Sequence, residues 1–146
     1  MENFKIDFGN LKIDQLGFVF KDIEKQAELM QNILGLPKFI FTEPMSNTIQ
    51  YRGKESQLTS QIAISRLGIT QIELIKWISG ECSYKEFLDQ GKEGLHHIMI
   101  DPDDPNSLVD DFKNKGVKVL LEVEEIKATY FDTEESLGIN LEIIGR

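Results

Sequence analysis

The second half of this chain repeats the pattern of the first, and that constrains its fold more than any other feature. Residues 13–20, Ile-Asp-Gln-Leu-Gly-Phe-Val-Phe, alternate as a strand whose even positions Leu16, Phe18 and Phe20 form one apolar face. Asp22 follows as an N-cap, with Ile23, Ala27, Met30 and Leu34 at helical spacing and Gly35 as the stop. The stretch His97-Ile-Met-Ile-Asp-Pro-Asp-Asp104 lies residue for residue over Gln15-Leu-Gly-Phe-Val-Phe-Lys-Asp22. Asp104 repeats the cap with Pro105 in the first helical position, and Leu108, Val109 and Phe112 supply the stripe before Gly116. Further strands are predicted at 38–42, 48–52, 61–67 and 70–78, with Gly68 in a tight hairpin, and at 118–123, 128–132 and 139–144. Between the halves, Ser83-Tyr84-Lys85-Glu86 reads as a capping box opening a short helix that ends at Gly91. The expected fold is one α+β domain, 1–146, of two βαβββ modules forming a curved mixed sheet around a central cavity. Module one covers about 11–80, a connector about 81–93 and module two about 94–146.

Composition narrows the function. Sixteen Lys and Arg against twenty-five Asp and Glu give a net charge of −9, which repels phosphate backbones and argues against nucleic-acid binding. One cysteine, Cys82, leaves no disulfide framework and no multi-cysteine zinc site. No apolar run approaches the ~18 residues of a membrane span. The opening residues Met1-Glu2-Asn3-Phe4-Lys5-Ile6-Asp7 lack the apolar stretch of a secretory signal, so a cytoplasmic location is expected.

Four polar residues fall on apolar strands. With Leu16, Phe18, Ile98 and Ile100 packed under helices, Gln15 and His97 take the opposite, concave face. His96 and His97 are adjacent, and strand alternation lets at most one enter a shared interior. In Ile72-Glu73-Leu74 and Leu141-Glu142-Ile143 the same parity turns both carboxylates inward. Singly, each has an ordinary explanation as the solvated side of an amphipathic strand. Together, one imidazole, two carboxylates and one amide oxygen suit a divalent metal and leave positions open for water or substrate. Trp77 and Met99 share the inward parity and could line a pocket or fill the core.

These residues resemble the vicinal-oxygen-chelate superfamily, which includes glyoxalase I, methylmalonyl-CoA epimerase, extradiol dioxygenases and antibiotic-resistance proteins. The resemblance runs from about Ile13 to Ile144. Its most specific pieces are Asp14-Gln15-Leu-Gly-Phe-Val-Phe-Lys-Asp22, Leu34-Gly35-Leu36, Gln71-Ile-Glu73-Leu-Ile75, Gly94-Leu-His-His97-Ile, and Phe131-Asp-Thr133 with Gly138-Ile-Asn-Leu-Glu142. It implies the paired βαβββ fold and a metal held by Gln15, Glu73, His97 and Glu142. Gln15 in place of His argues against dioxygenase chemistry. Val19 and Trp77 stand where glyoxalase I enzymes place the Arg and Asn flanking glutathione. Ile72-Glu-Leu-Ile-Lys-Trp, Tyr84-Lys-Glu-Phe-Leu and Gly94-Leu-His-His-Ile resemble methylmalonyl-CoA epimerase more, although epimerases usually carry His and Gln where Gln15 and Glu73 stand. Their second carboxylate precedes the strand at 61–67, where Glu55 and Gln57 both fall.

The resemblance thus implies a metal-dependent isomerase, epimerase or lyase of the glyoxalase or epimerase type. Its cofactor would be one divalent ion (Zn, Ni, Co or Mn), with Glu142 and Glu73 as catalytic groups and a small carbonyl or thioester substrate. A CoA ester would need local cations, for which Lys38, Arg52, Arg66 and Lys76 are candidates. A homodimer is expected. The alternative is a non-catalytic small-molecule binding or resistance protein of the same fold.

Overall fold

The structure is a computed structural model and describes residues 8–145. The reading of residues 1–7 as lacking a secretory signal lies outside the described residues. After a 3-10 turn at Phe8–Asn10, the chain runs β1 (Ile13–Val19), α1 (Ile23–Leu34), β2 (Ile40–Phe41), β3 (Met45–Tyr51), β4 (Lys54–Leu67) and β5 (Thr70–Ser79). The connector carries α2 (Ser83–Asp89). Then come β6 (Gly94–Ile100), α3 (Pro105–Asn114), β7 (Val119–Val123), β8 (Ala128–Phe131), α4 (Glu134–Leu137) and β9 (Asn140–Ile144).

Eight strands close into a ring in the order β1-β5-β4-β3-β7-β8-β9-β6, and β6 pairs back onto β1. The two first strands, β1 and β6, are antiparallel neighbours, and each is flanked by the last strand of its own half in parallel, β5 and β9. On the far side the halves meet through β3 and β7, where only Gln50–Glu122 and Tyr51–Leu121 pair. The short β2 continues the edge of β4.

Burial divides accordingly into three clusters. Ile23 and Ala27 of α1 cover Ile72 and Leu74 on the outer surface, and Leu108 of α3 covers Ile100, Phe131 and Ile143. Inside the ring, Val19, Ile75, Leu121 and Tyr130 meet Tyr84 and Phe87, which α2 carries inward. The connector helix is therefore a plug of the interior. Among the described residues no helix is long and apolar enough to cross a membrane.

Both long helices start as the sequence indicates. Asp22 Oδ1 accepts from the Lys25 N–H at 3.0 Å, and Asp104 Oδ1 accepts from the Ser107 N–H at 3.1 Å. Gly35 ends α1 at φ 69°, in the left-handed region glycine adopts without strain. Three features differ from the sequence reading. Strand β4 begins at Lys54, because Arg52 (φ 48°) and Gly53 (φ 81°) form a two-residue hairpin turn with both φ values positive. Helix α4 was not anticipated, being a single turn. The capping box does not form: the cap position of α2 is Cys82, Ser83 already lies within the helix, and its buried Oγ has no partner. Glu86 turns instead to Tyr51 and Arg52.

Capping energetics give a direct test. Asp22→Ala should cost about 1 kcal/mol in chemical denaturation. Ser83→Ala should be neutral or slightly stabilising, since it removes an unpartnered buried hydroxyl; a loss equal to that of Asp22→Ala would restore the capping box.

Candidate functional site

Register brings the four predicted residues to the inner surface of the ring. Residues opposite one another in a ladder share a face. Gln15 pairs with Gln71 and with Met99, Gly17 with Glu73 and with His97, and Met99 with Glu142. Gln15, Glu73, His97 and Glu142 therefore lie on one face of four adjacent strands, β5-β1-β6-β9.

The prediction that only one histidine enters the interior fails. Between Gly17–His97 and Phe18–Leu95 the register slips by one, so His96 is an extra residue in β6. Such a bulge turns two successive side chains to one side. Both rings are buried, with their Nδ1 atoms 2.9 Å apart and Tyr130 edge-on to His97 at a centroid distance of 4.8 Å. Gly17 makes this possible. A Cβ built there would stand 2.1 Å from the His97 ring, so the imidazole lies where any other residue would put its side chain.

His97 Nε2 points at two carboxylates. Glu142 Oε1 is 3.2 Å away and Glu73 Oε1 3.5 Å, in neither case with hydrogen-bond geometry, so all three buried atoms are left without a partner. Exposure is 0% at His97, 3% at Glu142 and 7% at Gln15. The Gln15 amide nitrogen donates to Gln71 Oε1 at 2.5 Å. That leaves the amide oxygen as the atom able to act as a donor to a cation. Burial by itself pushes the His97 pKa down, but the approach of Glu142 and Glu73 outweighs it and raises it to about 9. Burial likewise raises Glu73 above the ordinary carboxylate range.

An orphaned imidazole nitrogen between two orphaned carboxylate oxygens is a poor arrangement for a dry interior and a suitable one for a cation. Two donors about 2.1 Å from one ion stand about 3.0–3.4 Å apart, close to the two separations here. Among the described residues no three or more His, Cys, Asp or Glu are grouped so as to hold a metal ion as they stand. Two carboxylates offset the charge of a divalent ion, and the donor set fits one.

Other sequence candidates are placed differently. Glu55 and Gln57 are exposed and face outward, opposite in parity to Leu58, Ser60 and Ile62 of the same strand, so neither reaches the interior. The second carboxylate at His97 is Glu73. Trp77 packs half-buried against the inner cluster and donates its indole N–H to the Gly80 carbonyl at 2.7 Å. Arg52 is committed to Glu86 and Asp132, whereas Arg66 stands opposite Gln71 at the inward-facing rim. Sequence reasoning missed His96, Tyr84 and Tyr130. The only signal for them was the doubled histidine facing a glycine across the strand pair.

Fold and side chains together define a class: an α+β protein of two strand–helix–strand halves with nitrogen and oxygen donors at the centre of a closed sheet. Residues 14–132 match the Glyoxalase/Bleomycin resistance protein/Dioxygenase superfamily, and the chain belongs to it. Human mitochondrial methylmalonyl-CoA epimerase is 27% identical over 118 residues, and the bovine enzyme 26%. In both cases the match covers 80% of this chain but only 61% of the relative. Among solved structures, methylmalonyl-CoA epimerase from Mycobacterium tuberculosis superposes with a TM-score of 0.61 at 17% identity, over 91% of this chain and 86% of that one. A Streptomyces coelicolor methylmalonyl-CoA epimerase in complex with 2-nitronate-propionyl-CoA gives 0.62 at 18%, over 92% and 93%. A hypothetical protein from Bacillus halodurans gives 0.62 at 18%, over 94% and 95%. These likenesses establish the fold.

Two outcomes follow from the geometry. Gly17→Ala should destabilise the protein by about 1–3 kcal/mol, the usual cost of overpacking, because the methyl displaces the His97 ring; an unchanged urea midpoint would contradict the contact. The charge arrangement sets a pH dependence for the metal-free protein. With its folded pKa raised from 6.5 to about 9, His97 contributes stability that is complete below pH 6.5 and lost as pH rises through 9. The raised Glu73 acts in the same direction at lower pH. In a chelator, the urea midpoint should therefore fall between pH 6.5 and 9, and a flat or rising profile would refute the assignment.

Proposed function

We propose that this chain is a metal-dependent epimerase, or a closely related isomerase or lyase, that removes a proton beside a carbonyl, with an acyl-CoA thioester as its substrate class. The observation that carries the reading is the set of three buried, unpartnered atoms, Glu73 Oε1, His97 Nε2 and Glu142 Oε1. The curated relatives named as methylmalonyl-CoA epimerases favour epimerisation over glyoxalase chemistry, as does Val19 where a glutathione-binding Arg would stand.

Gln15, Glu73, His97 and Glu142 would hold one divalent ion such as zinc, nickel, cobalt or manganese. When bound, the ion supplies Lewis-acid stabilisation of negative charge on a substrate oxygen. The chain's own residues do the rest. His97 presents its Nε2 lone pair from a ring fixed against Gly17 and Tyr130. Glu73 on β5 and Glu142 on β9 approach from opposite sides of the β1–β6 pair, so one carboxylate can take a proton from one face of the substrate carbon while the other stands near the opposite face. Burial favours the neutral form of Glu73 and so strengthens its carboxylate as a proton acceptor. Arg66, exposed at the inward-facing rim, would be one cation for a CoA phosphate.

A small-molecule binding protein of the same fold is the competing reading. It loses ground because it gives no use to the buried, unpartnered atoms of Glu73, His97 and Glu142.

The test is exchange of the substrate α-proton with solvent deuterium, using methylmalonyl-CoA and the metal-loaded full chain. Glu142→Gln should lower exchange by roughly 10²–10⁴-fold, the range for loss of a general base, with the circular dichroism spectrum of the folded protein unchanged. Full activity in that variant, or no ion bound by the wild type after reconstitution, would overturn the proposal.

A further inference from the structure

His96 has no role in the reaction proposed above, yet it is one of the most enclosed polar side chains in the molecule at 1% exposure. Tyr84 and Phe87 of the plug helix hold its ring edge-on, each at a centroid distance of 5.2 Å. The bulge sets it beside His97 with the two Nδ1 atoms 2.9 Å apart. Two imidazole nitrogens at that distance share one proton, so one ring donates and the other accepts.

The direction of that bond follows from the other end of His97. A lone pair on Nε2, as ligation requires, places the proton of the neutral ring on Nδ1. His97 Nδ1–H therefore donates to His96 Nδ1. His96 must then be neutral, with its own proton on Nε2. The pair of rings thus ends in an open lone pair on His97 Nε2 between Glu73 and Glu142.

We infer that His96 is a positioning residue for the metal site, fixing through the Nδ1–Nδ1 hydrogen bond both the tautomer and the orientation of His97. The inference rests on the metal reading above and adds the partner behind the ligand. Ligating histidines generally need such a partner, most often a carboxylate or a backbone carbonyl. A third carboxylate here would add negative charge to an interior that already holds two. A neutral imidazole accepts the same proton without adding charge, and the aromatic rings around it favour that neutral form.

The experiment uses the full chain. Cobalt(II) titrations followed by visible absorption compare wild type, His96→Phe and His96→Asn. His96→Phe keeps the ring volume and removes the acceptor, and should weaken cobalt binding by roughly 10- to 100-fold. His96→Asn presents an oxygen near the Nδ1 position and should recover most of that loss, a rescue that a packing role would not give. On the zinc-loaded wild type, nitrogen NMR of labelled histidine should show a coupling between the two Nδ1 nitrogens, with the proton carried by His97. Equal cobalt affinity in wild type and His96→Phe, or a proton carried by His96, would overturn the role of His96 alone. Absence of cobalt binding in the wild type would remove the metal reading and this inference with it.

Discussion

The site depends on an imidazole lying over a glycine. Strand β1 presents Gly17 to β6 at the point where β6 carries one extra residue, and these two local departures from regular sheet are complementary. A Cβ at position 17 would exclude the His97 ring, and a regular β6 would send either His96 or His97 outward. With both departures in place, the two histidines turn inward edge-on to each other and His97 Nε2 reaches the carboxylates that β5 and β9 present, Glu73 and Glu142. Charge then governs what this geometry can hold. Two carboxylates buried against an imidazole, with Glu73 Oε1, Glu142 Oε1 and His97 Nε2 all unpartnered, are costly in a low-dielectric interior, and a protonated His97 neutralises only one of them. A divalent cation neutralises both while taking the lone pair that the proton would otherwise occupy. On the metal reading, the proton and the ion would compete for the same nitrogen.

Much of this was legible in the sequence because strand parity is a strict rule. Alternation around Leu16 and Phe18, Ile72 and Leu74, and Leu141 and Ile143 assigns faces without any knowledge of pairing, and all four polar residues lie on the predicted side. Asp22 and Asp104 were equally readable, since N-capping is a contact within one turn. What alternation cannot show is where it breaks. The bulge at His96 is a property of two strands in register, and nothing in the run Gly94-Leu-His-His-Ile marks it; the glycine that accommodates it lies in the other half of the chain. The capping box at Ser83 failed for a related reason. Its Glu86 has a stronger long-range partner in Arg52, and the Ser83 side chain is buried among tertiary contacts. Glu55 and Gln57 could not be separated by sequence, but parity measured from Leu58, Ser60 and Ile62 sends both outward together.

The same Arg52 accounts for how the ring stays shut. The halves meet on their far side through only two residue pairs, a seam too short to be secure as a ladder. At its end the Arg52 N–H donates to the Leu120 carbonyl at 2.9 Å, while the guanidinium contacts both oxygens of Glu86 on α2 and reaches Asp132 beyond β8. One residue in a left-handed turn thereby ties the β3–β4 hairpin, the plug helix and the second half together. Exposed pairs of this kind contribute little singly, but a fork spanning three elements restrains their relative placement. That restraint reaches the site by a short route. Glu86 fixes α2, α2 carries Tyr84 and Phe87 against His96, and His96 bears on His97. The duplicated sheet brings the four polar residues to one face, and the connector between the copies, which has no counterpart in the repeat, packs behind the histidine pair at their centre.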